Sequence, residues 1–340
     1  MTVTVRSFAK INLGLRIGAR RNDGFHQLLT VYQTIGLYDL VHIRIERGSG
    51  IEILCTDPRV PRDETNTCYR IADLAMQSLG ARGRVVVEIE KRLPVQGGLG
   101  AASSNAVSTL LGLQRMLRKS LTAIQSLRVA AEIGSDLPLF LLGGTVLGAG
   151  RGEEVYPLSD LPATACVVVT PDVGVSTPKA FADWDGARAA EPESAGQPRA
   201  AVPRPLQNKL TLNRVSDRMN ELGCGFSAWL SEQYSGAPFG RGRAENPLLA
   251  LVRAGIKNDF EQVVFPEHPE LVEVKKVLLR AGAKYASLSG SGSSLYGLFS
   301  SKAAAGRATA RLRKQGWKGQ ETSTLPRRIY WNRLFGSTNF

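Results

Sequence analysis

A glycine-rich run at residues 94–105, Pro-Val-Gln-Gly-Gly-Leu-Gly-Ala-Ala-Ser-Ser-Asn, passes directly into an apolar helical pattern. Glycine lets backbone N–H groups approach an anion without a Cβ in the way, and the helix that follows turns its positive dipole end toward the same place. The run therefore reads as a phosphate cradle with a nucleotide as its natural ligand. A glycine-rich turn between a strand and a core helix would look the same, and the glycines alone do not separate the two.

Two common nucleotide signatures are excluded. The chain contains no Gly-Lys dipeptide, so it has no G-x-x-x-x-G-K-[ST] loop. From Gly98 the pattern is G-x-G-x-x-S, and the alternating strand before it, residues 85–90, lies in the middle of a domain that opens with a hairpin. A dinucleotide-binding βαβ unit is thereby disfavoured.

The hairpin is expected from alternation over residues 3–17 and from the Asp-Gly turn within residues 21–24. Further strands are expected at residues 41–46, 51–54 and 166–171, with helices at 66–79, 121–133 and 271–279. After the glycine run, Ala106, Leu110, Leu113 and Leu117 recur at spacings of four, three and four, the buried stripe of an amphipathic helix. Ser103, Ser104 and Asn105 stand at its start, where their side chains could cap free N–H groups or meet a phosphate or a metal. A second small-residue loop, Ser289-Gly290-Ser291-Gly292-Ser293-Ser294, follows a strand that runs into residue 287.

With 340 residues, 43% of them hydrophobic, the chain can build one large or two medium domains. Four cysteines without a C-x-x-C pair suggest neither a zinc site nor a disulfide framework, which points to a reducing cytoplasm. The first ten residues carry charge and no apolar leader core, and no stretch reaches the roughly 18 apolar residues that span a bilayer, so a cytoplasmic protein is expected. Of the net charge of +13, residues 302–333 supply +8, from nine Lys or Arg against Glu321. Such a cluster can follow a nucleic-acid backbone, but residues 302–314 also read as a helix with one solvated basic face, the reading we adopt.

Taken in order, Ala9-Lys10-Ile11-Asn12-Leu13, residues 94–105 and Ser289-Gly290-Ser291-Gly292-Ser293 resemble the three motifs of the GHMP kinases, the family of galactokinase, homoserine kinase and mevalonate kinase. Within that family, Lys10-Ile-Asn12-Leu, Arg21-Asn-Asp23-Gly24-Phe25-His26, the doubled glycine, Gly134-Ser-Asp136-Leu-Pro138 and Asn258-Asp259-Phe260-Glu261 are similar to the branch that acts on 4-diphosphocytidyl-2-C-methyl-D-erythritol. The resemblance covers most of residues 1–180 and 245–300.

It implies a two-lobed α+β fold: a ribosomal-protein-S5-domain-2-like nucleotide lobe over residues 1–155 and a ferredoxin-like substrate lobe over 156–340, with an insertion at about 184–243. It also implies ATP with Mg²⁺, transfer of the γ-phosphoryl to a tertiary hydroxyl, Asp136 as catalytic base and Lys10 as its partner. Pro94, Gly97, Gly98, Leu99, Gly100, Ala101, Ala102, Ser103 and Ser104, with Ser289, Gly290, Ser291 and Gly292, would surround the ATP. No metal motif is present, and Mg²⁺ would arrive with ATP near Ser104. In the resembled branch, rings at the positions of Phe25 and Phe181 sandwich the cytosine while the residue at His26 reads its pairing edge. Asn12, Ser176 and Thr177 are polar candidates for the erythritol and diphosphate. The partner is thus a small molecule, a cytidine diphosphate conjugate, rather than a nucleic acid or a membrane, and the chain is expected as a monomer or weak homodimer.

The chemistry has its own logic. A tertiary alcohol is a poor nucleophile, and a carboxylate within hydrogen-bond reach can take its proton as the phosphoryl transfers. A nearby ammonium holds that carboxylate ionised and counters charge on the transferring oxygens. Another GHMP kinase, for homoserine, mevalonate or a sugar, is the alternative, and Phe25, His26 and Phe181 discriminate because none of those substrates carries a base to stack. A nucleic-acid-binding protein using the basic tail is the alternative from a different class. The sequence departs from the resembled pattern at Phe25, where tyrosine is commoner, at Ala101-Ala102, where glycine is frequent, and in the insertion, which is open between a lid, an oligomer contact and an inert excursion. His42 and His268 have no partner pattern and read as structural.

Overall fold

The computed structural model describes residues 1–189 and 256–335. Val3–Arg20 (β1) and His26–Glu46 (β2) form the expected antiparallel hairpin. At its turn Asp23 Oδ1 accepts from the Phe25 N–H and Gly24 takes φ 83°, the left-handed backbone that an Asp-Gly turn supplies. β2 begins well before the strand expected at residues 41–46. Thr30, Gln33, Thr34 and Asp39 break its alternation, yet all four are buried and satisfied by hydrogen bonds to Gly14 O, Leu325 O and the N–H groups of Arg92 and Leu93.

The hairpin belongs to a six-stranded sheet in which β2 also pairs Arg84–Glu90 (β4) and Thr145–Ala149 (β5), while Ile51–Cys55 (β3) and Glu154–Pro157 (β6) form the edges of the path. Only β3 and β4 run parallel. Thr67–Ser78 (α1), Ala101–Leu117 (α2) and Ala123–Ile133 (α3) complete this lobe, followed by the single turn Leu137–Phe140 (α4). The stripe Ala106, Leu110 and Leu113 on α2 meets Val5, Ile43 and Val87 of the sheet in one core.

The second sheet has four antiparallel strands in the order β10-β7-β9-β8, built from Ala165–Val169 (β7), Tyr285–Leu288 (β8), Leu295–Phe299 (β9) and Gly319–Ser323 (β10). Thr177–Ala189 (α5), Glu261–Glu267 (α6) and Pro269–Arg280 (α7) lie between β7 and β8 in sequence, and Lys302–Lys314 (α8) lies between β9 and β10. This is the split βαβ arrangement of a ferredoxin-like lobe. On α8, Ala305, Ala308 and Leu312 are buried while Arg307, Arg311, Arg313 and Lys314 are exposed, the solvated basic face expected from the sequence.

The chain divides between the lobes less simply than a cut at residue 155, which falls inside β6. Residues 324–335, expected in the second lobe, return to the first: Thr324 bridges Ile35, Phe335 bridges Val5, and Leu325, Tyr330 and Leu334 join its core. Long-range contacts hold them there: from Arg327–Leu334 (α9), Tyr330 donates to Phe140 O (2.7 Å) at the end of α4 and Trp331 to Leu142 O (3.0 Å) just after it. Residues 184–189, at the start of the expected insertion, continue α5, and Trp184 is buried. The remainder of that segment, and residues 245–255 of the span that carries the resemblance, lie outside the described residues. Cys55, Cys68 and Cys166 are buried free thiols, and no described helix is long and apolar enough to cross a membrane.

β1 is shared by both lobes. Its first half packs in the core of the first lobe, whereas Leu15 and Ile17 pack in that of the second. Arg16 and Asp259 seal the crossing: Asp259 accepts from Arg16 Nη1 at 2.9 Å and from the Ile17 N–H at 3.0 Å, with both side chains buried. Removing one partner of a buried pair strands the other charge, so Asp259→Ala should lower unfolding stability by about 3–5 kcal/mol. Urea denaturation checks this, and a loss under about 1 kcal/mol would show that the pair is not the clamp.

Candidate active site

Lys10 and Asn12 lie on β1 between two register irregularities, Phe8/Lys10 and Asn12/Gly14. Such irregularities re-aim side chains from a strand that would otherwise alternate between faces. The Lys10 ammonium is 3% exposed, donates to Asn12 Oδ1 at 2.8 Å and stands 3.2 Å from Asp136 Oδ2. Asn12 Nδ2 donates to Thr30 Oγ1, which donates in turn to Gly14 O, and this chain turns the amide oxygen of Asn12 toward Lys10. Asp136 precedes α4 but makes no capping hydrogen bond. Its Oδ1 instead accepts from the Tyr32 hydroxyl at 3.0 Å, and the Tyr32 ring lies 5.5 Å from the Lys10 ammonium.

Burial, reinforced by the adjacent Asp136 charge, pushes the Tyr32 phenol well above its ordinary pKa, so it stays a donor. The small-residue run after α4 makes room for that ring. A Cβ on Gly148 would come within 2.4 Å of Tyr32 Cε2, and one on Gly152 within 2.5 Å of its hydroxyl.

The two glycine loops interlock above this cluster. Gly98 has φ 72°, and a Cβ there would stand 2.1 Å from Ser289 O. Ser289 Oγ donates to Gly98 O at 2.9 Å, the Ser294 N–H reaches Gly97 O at 3.2 Å, and the Lys10 N–H reaches Leu99 O at 2.9 Å. Asn258 supports the second loop from below by donating to Leu288 O and Gly290 O, and Thr177 at the start of α5 shares a 2.7 Å hydrogen bond with Ser291. Gly100 is the N-cap of α2 with φ 68° and no side-chain cap, which leaves the first-turn N–H groups open to an anion.

None of Ser103, Ser104 and Asn105 caps the helix, contrary to one sequence expectation, because α2 already begins at Ala101. Ser104 is 1% exposed, its Oγ 2.8 Å from that of Ser7, so its hydroxyl faces the core and not an ion on the loop. Ser103 instead lines the cleft. The loop residues Gly98, Gly100 and Ser103 border two cavities: one of about 420 Å³ that also holds Lys10, Asn12 and Asp136, and one of about 400 Å³ lined by Pro94, Gly97, Leu99, Ala101 and Ala102. The arrangement can cradle phosphates on backbone N–H groups beside a carboxylate and an ammonium.

Phe25, His26 and Phe181 line the same 420 Å³ cleft. They do not form two facing rings around a gap. Phe181 stacks on the His26 imidazole, with centroids 4.9 Å apart and planes at 8°, and Phe260 meets its edge. Phe25 is 50% exposed with the Arg151 guanidinium 4.8 Å over its ring. Ser176 is exposed just before α5, and with Thr177 it lines a neighbouring groove that also holds Gly292 and shares Gly98 with the cleft. Sequence reasoning missed Tyr32, Arg151 and Asp185, and gave Asn258 no role although its motif was noted. Tyr32 sat in a stretch whose polar residues hid the strand, and the spacing of Gly148 and Gly152 was its only trace.

Comparisons with known proteins agree on the family. Residues 66–144 match the profile described as GHMP kinases N terminal domain, and residues 244–317 match GHMP kinases C terminal. A 4-diphosphocytidyl-2-C-methyl-D-erythritol kinase of Solibacter usitatus is 36% identical over 304 residues, 89% of this chain and 83% of that one. One of Heliobacterium modesticaldum is 34% identical over 319 residues, 93% of this chain and 92% of that one. Among solved structures, a 4-(cytidine 5'-diphospho)-2C-methyl-D-erythritol kinase matches with TM-score 0.67 at 29% identity, covering 94% of this chain and 98% of that chain. A homoserine kinase from Cytophaga hutchinsonii matches with TM-score 0.66 at 21% identity over 96% of this chain and 95% of that one, which bears on the fold alone.

Gly98 is where conformation and contact coincide. Gly98→Ala should raise the KM for ATP by about tenfold or more while the protein stays folded, since a left-handed residue that must also clear a carbonyl costs on the order of 1–3 kcal/mol. Steady-state kinetics with circular dichroism as control checks this, and an unchanged KM would show that the two loops need not interlock.

Proposed function

This chain belongs to the 4-diphosphocytidyl-2-C-methyl-D-erythritol kinase family of GHMP kinases, and from that membership we propose that it transfers the γ-phosphoryl group of ATP to the 2-hydroxyl of 4-diphosphocytidyl-2-C-methyl-D-erythritol. The observation that carries the reading is a carboxylate, Asp136, held by Lys10 and Tyr32 in the same cleft that is lined by Phe25, His26 and Phe181. A phosphate cradle, a base and a platform for a nucleobase then share one cavity.

In this reading Asp136 accepts the proton of the substrate hydroxyl as its oxygen bonds to the γ-phosphorus and the bond to the β-γ bridging oxygen breaks, releasing ADP. Lys10 faces the developing charge, and Asn12 keeps the ammonium aimed. The Tyr32 hydroxyl donates to Oδ1 of Asp136, and Oδ2, beside the Lys10 ammonium, is the oxygen that would take the substrate's proton. The first-turn N–H groups of α2 and the second glycine loop hold the transferring phosphates.

Among the described residues no three His, Cys, Asp or Glu side chains gather as a metal cage. The oxygen donors at the cleft, Asp136 and Ser103, nevertheless suit Mg²⁺, which takes one or two protein oxygens, keeps several waters and binds mainly through substrate phosphates. Bound with ATP, the ion would neutralise charge on the β- and γ-phosphates.

The test is a phosphoryl-transfer assay with Mg²⁺ and ATP on the cytidylated erythritol, homoserine, mevalonate and galactose, with product read by ³¹P NMR. Only the cytidylated substrate should gain a phosphate monoester. Phosphorylation of homoserine or mevalonate, with the cytidylated compound untouched, would move the chain to another branch of the family.

A further inference from the structure

The His26 imidazole is held from two directions by one helix. Phe181 of α5 lies parallel to its face at 4.9 Å, and Asp185, one turn further along, places Oδ1 2.7 Å from His26 Nε2. Residues i and i+4 project from the same side of a helix, so a single rigid element sets both the plane and the rotation of the ring. α5 is itself fixed at its start, where Thr177 bonds Ser291 of the second glycine loop, and along its length by Phe260 against Phe181. The imidazole is 7% exposed, lines the cleft, and makes no hydrogen bond through Nδ1 to any described residue.

A carboxylate only accepts hydrogen bonds, so Nε2 must carry the proton it receives. In the neutral ring Nδ1 then holds the lone pair. We propose that Asp185 is a positioning residue which locks His26 in the Nε2–H tautomer, so that Nδ1 accepts a hydrogen bond from a nucleobase amino group and rejects a base that presents a carbonyl there. A cytosine offers an exocyclic amino group at that edge, and a uracil offers an oxygen. Two lone pairs facing each other in a buried site are left unpaired, which is how a polar pocket excludes an analogue. The proposal rests on the cytidine-conjugate reading of the site and adds the residue that sets its base selectivity.

Three measurements test it together. Asp185→Ala should raise the KM for the cytidylated substrate by about tenfold, the worth of one hydrogen bond to a charged or oriented partner, with kcat and the KM for ATP within about twofold. The preference for the cytidylated over the uridylated substrate should fall by a similar factor, and Asp185→Glu should restore part of it. In a His26→Ala background, Asp185→Ala should add nothing, because it acts through the imidazole.

Independently of any substrate, imidazole ¹⁵N shifts of the wild-type protein should show His26 protonated at Nε2 with almost no Nδ1–H form, and Asp185→Ala should raise the share of the Nδ1–H form; the chain has three histidines, and His26→Ala identifies the signal. An unchanged base preference, an equal loss in the His26→Ala background, or a wild-type ring protonated at Nδ1 would each overturn the proposal. If the wild-type protein does not phosphorylate the cytidylated substrate at all, the functional reading fails separately, and the ¹⁵N spectrum still decides the role of Asp185.

Discussion

A nearly buried ammonium is the constraint around which the rest of this molecule is arranged. Taking the Lys10 charge out of water costs on the order of several kcal/mol unless its neighbours replace the lost solvation. The structure supplies Asp136, the amide oxygen of Asn12 and the face of Tyr32. Each of those groups is itself held, Asp136 by the Tyr32 hydroxyl and Asn12 through Thr30 to the backbone of Gly14. A carboxylate so engaged keeps one face toward the cleft while its geometry is fixed before any substrate arrives. Phosphoryl transfer depends mainly on positioning and electrostatics, and in this fold both come from one cluster.

The cluster stands where the two lobes meet on a single strand. β1 carries Lys10 and Asn12 between a half that packs in the first core and a half, Leu15 and Ile17, that packs in the second. The glycine loops come from different lobes, and their contact through Gly98 and Ser289 closes over the same point. The Asn258-Asp259-Phe260-Glu261 segment works as a bracket. Asn258 supports the second loop, Asp259 ties to β1 through Arg16, Phe260 backs Phe181, and Glu261 accepts from Ser287 and the Leu288 N–H. Residues far apart in sequence therefore set the distance between the glycine loops and the Phe25, His26 and Phe181 side chains.

Much of this was legible in the sequence where local chemistry dictates local structure. The glycine run, the Asp-Gly turn and the stripe on α2 follow from positive φ, turn geometry and helical spacing, and each appears in the fold. What stayed hidden depends on tertiary context. Residues 26–40 of β2 did not read as a strand because Thr30, Gln33, Thr34 and Asp39 interrupt the alternation, and only the folded chain shows that their partners are Gly14, Leu325 and the N–H groups before the first loop. Tyr32 was hidden for the same reason. The return of Leu325, Tyr330 and Leu334 to the first core also has no local signal, since the basic residues around them dominate the pattern. For the substrate end the sequence named Phe25, His26 and Phe181 but not their mutual arrangement, because a stack of Phe181 on His26 depends on where α5 lies.

The proposed mechanism has Lys10 and Asp136 acting as one unit, and a double-mutant cycle on kcat tests that most directly. Lys10→Met and Asp136→Asn should each lower kcat by about 10²–10⁴, and the double variant should fall no more than about tenfold below the poorer single variant, because the second change removes a partner already disabled. Losses that multiply, so that the double variant shows the product of both single effects, would contradict a coupled pair and with it the central role of the buried ammonium.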